Sequence, residues 1–111
     1  MSSSDIEGIK TKLFALNMRV AEVRNEVAAA QARVSRLEKQ LEDARLAALL
    51  GEHAGDPAEI SPQLETCRTE LADHQQLLRT IRSLQWETRL RYLLARRQAM
   101  QAEQKESAEE S

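Results

Sequence analysis

Glycine and proline are almost missing from this chain, at three and two residues in 111, which excludes a fold built on many tight turns. Aromatic residues are as scarce. Phe14, Trp86 and Tyr92 are the whole set, too few to fill a bulky globular core. The single cysteine, Cys67, excludes an intrachain disulfide and fits a reducing compartment. No apolar run approaches the ~20 residues that span a bilayer, so membrane insertion is not expected. The start, Met1 to Asp5, has neither the basic segment nor the apolar run of a signal peptide. These absences together lead to the expectation of a soluble, intracellular, cytoplasmic protein. A formal net charge of −2 gives no overall pull toward nucleic acid or anionic lipid.

Catalytic inventory is also thin. A metal cage needs three or four converging ligands, and Cys67, His53 and His74 have no partners at ligand spacing. Cys67 has no histidine within a helical turn to activate it, so it reads as a small core residue rather than a nucleophile. Neither a glycine-rich phosphate loop nor a nucleophile elbow occurs. The expectation is therefore no enzyme, no catalytic or metal site, no cofactor and no small-molecule substrate.

What is present is alanine, leucine, glutamate, glutamine and arginine, the profile of long helices. Ser4 and Glu7 stand at capping-box spacing. From there Ile6, Ile9, Leu13, Leu16, Val20, Val23, Val27, Ala30, Val34, Leu37, Leu41, Ala44 and Ala48 follow at alternating steps of three and four. An unbroken run of that kind is the seam of a coiled coil, whereas the stripe of a lone surface helix is wider and drifts. Gly51 suits a left-handed C-terminal cap after Leu49 and Leu50. Asp56 with Glu59 can cap one short turn. Ser61 followed by Pro62 is the stronger helix start, because proline fits the first helical position. A second seam then runs Leu64, Cys67, Leu71, His74, Leu78, Ile81, Gln85, Thr88, Tyr92, Ala95, Ala99 and Ala102. His74 reads as a polar layer that fixes register. At Gln85 and Thr88 a stutter would turn Leu84 inward instead.

The predicted fold is all-α: an antiparallel two-helix coiled-coil hairpin, expected to associate into a four-helix bundle. It is a single domain spanning residues 1–111, with helix 1 at about 5–50, a loop at about 51–61, helix 2 at about 62–106 and an acidic disordered tail at 107–111. Arms of equal length place Ala44 level with Cys67, Leu41 with Leu71, Leu37 with His74 and Val34 with Leu78. A parallel dimer of extended chains is the competing arrangement, since valine-rich seams favour it; the short loop and matched arms argue for the hairpin.

One narrow seam cannot hide all the apolar side chains. Trp86, Leu90, Leu93 and Arg97 follow at steps of four, three and four, with Leu94 and Met100 beside them, and Phe14 and Met18 begin a matching stripe on helix 1. Phe14, Met18, Trp86, Leu90, Leu93, Leu94 and Arg97 are therefore the candidate interface, since exposed apolar stripes mark contacts and Trp and Arg dominate them. Charge is segregated as well. Glu52 to Asp73 is acidic but for Arg68, while Arg79 to Arg97 carries six arginines against one acid, Glu87. Arg79, Arg82, Arg89, Arg91 and Arg96 are either solvated flanks whose stems cover apolar surface or a docking site for an acidic partner. They lack the forked layout of a zipper-type DNA reader, so nucleic acid is only an outside reading.

The layout resembles small coiled-coil hairpins that serve as subunits of larger assemblies, among them adaptor, kinetochore and cytoskeletal complexes and bacterial export-apparatus hairpins that touch a rotary ATPase. The likeness rests on heptads alone and carries no functional residue over. What it implies is a non-enzymatic scaffold or adaptor, homodimeric or bound to another helical protein. The alternative is a chaperone or regulator gripping a client or ATPase with the Trp86/Leu90/Leu93 face.

Overall fold

The computed structural model describes residues 3–110, and the side chains of residues 5–109. Among these residues there are two helices and no strand: α1, Ser3–Leu49, and α2, Pro57–Glu110. The capping box expected of Ser4 rests on a side chain outside those described. The chain is an antiparallel two-helix coiled-coil hairpin, and its described residues divide into two compact units. One unit runs from Glu22 through the loop to Leu78. The other joins the residues up to Ala21 with those from Arg79 onward.

In the loop-containing unit Val34, Leu41 and Leu64 are buried together, with Leu37, Ile60, Cys67 and Leu71 packed against them. All seven are seam positions or continue the seam backward, so the three-four period is what brings them inward. Covering each large aliphatic chain contributes about 1.5–3 kcal/mol, and this cluster is the main store of apolar stabilisation in the unit. Val23, Ala30 and Ala44 are buried too. At the last turn of α1 the seam departs from expectation. Ala47 is buried and Ala48 is exposed, because the helix tightens into its cap there.

That cap uses two backbone bonds. The Glu52 amide donates to the Ala47 carbonyl at 2.8 Å and the Gly51 amide to the Ala48 carbonyl at 3.3 Å, with Gly51 at φ 72°. This is a Schellman closure, and its left-handed residue is one that glycine adopts without steric cost. Five residues on, α2 begins. The Asp56 carboxylate accepts the Ala58 amide at 3.0 Å, and the Asp56 carbonyl accepts the amides of Glu59 and Ile60. Asp56 is thus the N-cap and Pro57 the first helical residue.

The helix therefore starts at Pro57, not at Pro62, and the loop is shorter than the expected 51–61. The physical reason is that the Asp56-Pro57 start satisfies the orphan amides at once. Pro62, in the second turn, forfeits the bond its amide would have made to the Ala58 carbonyl and crowds that carbonyl, a cost offset by the cap and by the packing of Ile60. The other end differs as well. The expected disordered tail is helical as far as Glu110. Its Glu, Gln, Lys and Ala residues are strong helix formers, which outweighs the unfavourable placing of acids near a helix C-terminus.

The earlier start changes the register. Glu38 pairs with Arg68 at 3.6 Å, Arg33 with Glu70 at 3.9 Å, and Glu26 with His74 at 3.4 Å. Equal arms would have placed each of these α1 residues opposite a residue further along α2. The side chains meet roughly one heptad nearer the loop, so Leu41 is level with Leu64 rather than Leu71. Seam identity survives because a shift of one heptad returns every residue to the same face.

In the second unit Val20, Ile81, Thr88 and Ala95 are buried and Leu84 is 42% exposed. No stutter occurs: the seam continues in phase through Gln85 and Thr88. Gln85 is half-buried, and its Nε2 donates to Asn17 Oδ1 at 2.6 Å, which gives a polar seam residue a partner. The same pairing shows the shorter register here, since equal arms would set Asn17 well beyond Gln85.

Candidate interaction surface

Helix positions one and two steps outside a seam face away from the partner helix, and the residues that occupy them in the second unit are large and apolar. On α2 Trp86, Leu93 and Met100 recur every seven residues, with Leu90 and Arg97 between them. Trp86 is 60% exposed, Leu90 and Leu93 about half exposed, and Leu94 and Met100 slightly more. On α1 Phe14 is 67% exposed and Met18 is 53% exposed. Every expected apolar interface residue therefore lies outside the intrachain seam.

The two stripes belong to one surface. A shallow hollow is lined by Leu13, Asn17, Arg82, Gln85, Trp86 and Arg89. A second, lined by Lys10, Thr11, Leu13, Phe14, Asn17 and Tyr92, shares Leu13 and Asn17 with the first. Leu13, Gln85 and Tyr92 make the floor of a groove, Phe14 stands on its α1 shoulder, and Trp86 stands on its α2 shoulder. Further along α2, Leu93 and Met100 border another hollow with Arg96 and Arg97.

Seven large apolar side chains, each exposing on the order of 100 Å², amount to roughly 700 Å² of apolar surface. Summed over the two helices, that is close to the ~800 Å² per partner of a standard interface.

The arginines separate into groups. Arg82, Arg89 and Arg96 recur at seven-residue steps along the column between seam and stripe, and the hollows place them beside Trp86 and Leu93. Arg79 lies in the same column as Trp86, one heptad earlier. Arg91 occupies the opposite flank of the seam, the column of Leu77 and Leu84, and does not join the groove. The docking cluster read from sequence as five arginines is thus narrowed to those on one side of the helix.

One surface was not foreseen. Leu46, Leu49 and Leu50 at the end of α1 are 52%, 83% and 73% exposed, close to the acids Glu42 and Glu52. The available signal is that Ala44 and Ala48 hold the seam read from sequence, which leaves these leucines off it. Among the described residues no three His, Cys, Asp or Glu side chains converge as a metal site requires, and no helix is long and apolar enough to cross a membrane.

Comparison of the chain with models of protein families, with curated proteins and with solved structures found no match.

Proposed function

We propose that this protein is a non-enzymatic helical-hairpin adaptor that acts by protein–protein interaction through the apolar face of the unit containing Phe14 and Trp86. One observation carries the reading: large exposed apolar side chains, Phe14 and Trp86 on adjoining hollows and Leu90 and Leu93 further along α2, lie outside the intrachain seam. Leaving it in water forfeits roughly 1.5–3 kcal/mol per large side chain relative to burial. A surface carried on helices is held more precisely than one carried on loops. A second hairpin, completing a four-helix bundle, or another helical protein can cover it equally well in area.

The test replaces Trp86 and Leu90 together by serine. Solution mass is measured for both forms, and each is used as bait in extracts of its native cell. Helix content should persist, because both seams are untouched, while self-association or partner capture is lost. An assembly that survives the double substitution unchanged rejects this face. So does a wild-type monomer without partners whose double variant unfolds.

A further inference from the structure

The apolar face does not stand alone: its groove has a basic wall. Arg82 and Arg89 line the same hollow as Trp86, and Arg96 continues the column beside Leu93; Lys10, which lines the adjoining hollow with Phe14, is already paired with Glu7 at 3.6 Å. The single acid within the arginine-rich stretch, Glu87, lies on the far side of the Trp86 stripe from this column. Resting on the adaptor reading above, we propose that the groove seats one amphipathic α-helix of another protein, whose apolar stripe is flanked by aspartate and glutamate.

The shape of the site selects a helix. Two helices with large residues on their facing shoulders form a trough into which the ridge of a third helix packs, at the usual interaxial spacing of ~8–10 Å. The chemistry selects acidic flanks. Arginines repeating every seven residues keep one line along the trough, so carboxylates at the same period on the visitor meet them successively, each pair charge-assisted and partly shielded from water. The same periodicity counts against a second copy as occupant. A two-fold interface buries the same patch of both subunits, which would gather two Arg82, Arg89 and Arg96 columns into one contact.

Trp86 is the only tryptophan in the chain and is exposed, so its emission reports on the groove directly. The experiment titrates the full chain with a synthetic helix of about 21 residues carrying leucines at heptad spacing flanked by glutamates, and with a matched peptide carrying lysines instead. The glutamate peptide should shift Trp86 emission to the blue, bind at least about tenfold more tightly than the lysine peptide, and weaken with added salt. In Arg82→Glu/Arg89→Glu the preference should invert, a gain that cannot come from unfolding. Leu49→Ser, at the loop end, should leave binding unchanged.

Equal affinity for the two peptides overturns the proposal, as does an unchanged preference in the charge-reversed variant. A mixed-sequence oligonucleotide that displaces the glutamate peptide overturns it in favour of nucleic acid. A wild-type dimer in which Trp86 is already covered overturns it in favour of a second copy, and in that case the adaptor reading stands.

Discussion

Removing the Asp56 carboxylate should cost more than removing the Ser61 hydroxyl, although Ser61-Pro62 is the more conspicuous helix start. In Asp56→Ala the Ala58 amide loses its acceptor at 3.0 Å, worth about 1 kcal/mol for an N-cap. The loss spreads, because the turn from Pro57 to Ser61 is joined to the rest of α2 across Pro62, which supplies no amide. If that turn frays, half-buried Ile60 leaves the Val34/Leu41/Leu64 cluster, adding up to ~1 kcal/mol. The total is roughly 1–2 kcal/mol. Ser61 is exposed inside the helix, and Ser61→Ala should be neutral or stabilising by a few tenths of a kcal/mol on helix propensity alone. Pro62→Ala should stabilise by up to about 3 kcal/mol, as the new amide reaches the Ala58 carbonyl and the ring no longer crowds it. Urea titrations followed by helical circular dichroism, at one fixed protein concentration, measure all three. In thermal melts the Asp56 effect corresponds to a drop of about 4 °C or more. A larger loss for Ser61→Ala than for Asp56→Ala would place the helix start at Pro62 and refute the register derived from it.

Val23→Asp, which buries a charge at a fully covered position, should destabilise by several kcal/mol. Glu38→Ala, breaking an exposed pair with Arg68, should stay within about 0.5 kcal/mol; similar midpoints for the two variants would mean the seam is misassigned. Gly51→Ala should cost about 1 kcal/mol, from forcing an alanine to φ 72°, and a chemically synthesised chain with D-alanine there should recover it. With Cys67 replaced by alanine, Asn17→Cys/Gln85→Cys should close an intrachain disulfide under mild oxidation; faster closure of Asn17→Cys/Tyr92→Cys, one heptad further along α2, would restore the equal-arm register. His74→Leu should raise the melting temperature, since a half-buried seam position then packs carbon in place of an imidazole.

The seam was legible residue by residue, because burial in a coiled coil depends on period alone and a break in the three-four spacing would have been visible. Val23, Leu41, Leu64, Ile81 and Ala95 are all where that period puts them. Axial register was not legible in the same way, because it depends on where α2 begins. There the sequence offers two competing starts. Asp56-Pro57 with Glu59 wins over Ser61-Pro62 because a cap satisfies several amides while an internal proline wastes one bond. The apolar stripes at Phe14 and Trp86 were legible as excess, more large side chains than one seam can hold. Their union into a single groove was not, since it depends on which flanks of two antiparallel helices share a side, and Arg91 fell on the other one. The leucines at the end of α1 fall outside the three-four period, but beside the Gly51 cap Leu49 and Leu50 read as helix closure, so their exposure as a surface was not legible.

The loop is closed independently on each side, by the Gly51 backbone bonds on one and the Asp56 carboxylate on the other. Beside it lies the cluster whose partners are nearest in sequence, Ile60 and Leu64 against Leu41. Loop closure over so few residues loses little chain entropy, and contacts at short separation form fastest. The turn is therefore the natural nucleus of folding, from which the two strands of the coil zip outward. Substitutions at Gly51, Asp56 and Leu64 should then slow refolding nearly in proportion to the stability they remove, whereas those at Val20 or Ala95 should chiefly hasten unfolding. Kinetic lifetime and folding speed would thus be set at separate places along one pair of helices, and each could be changed without the other.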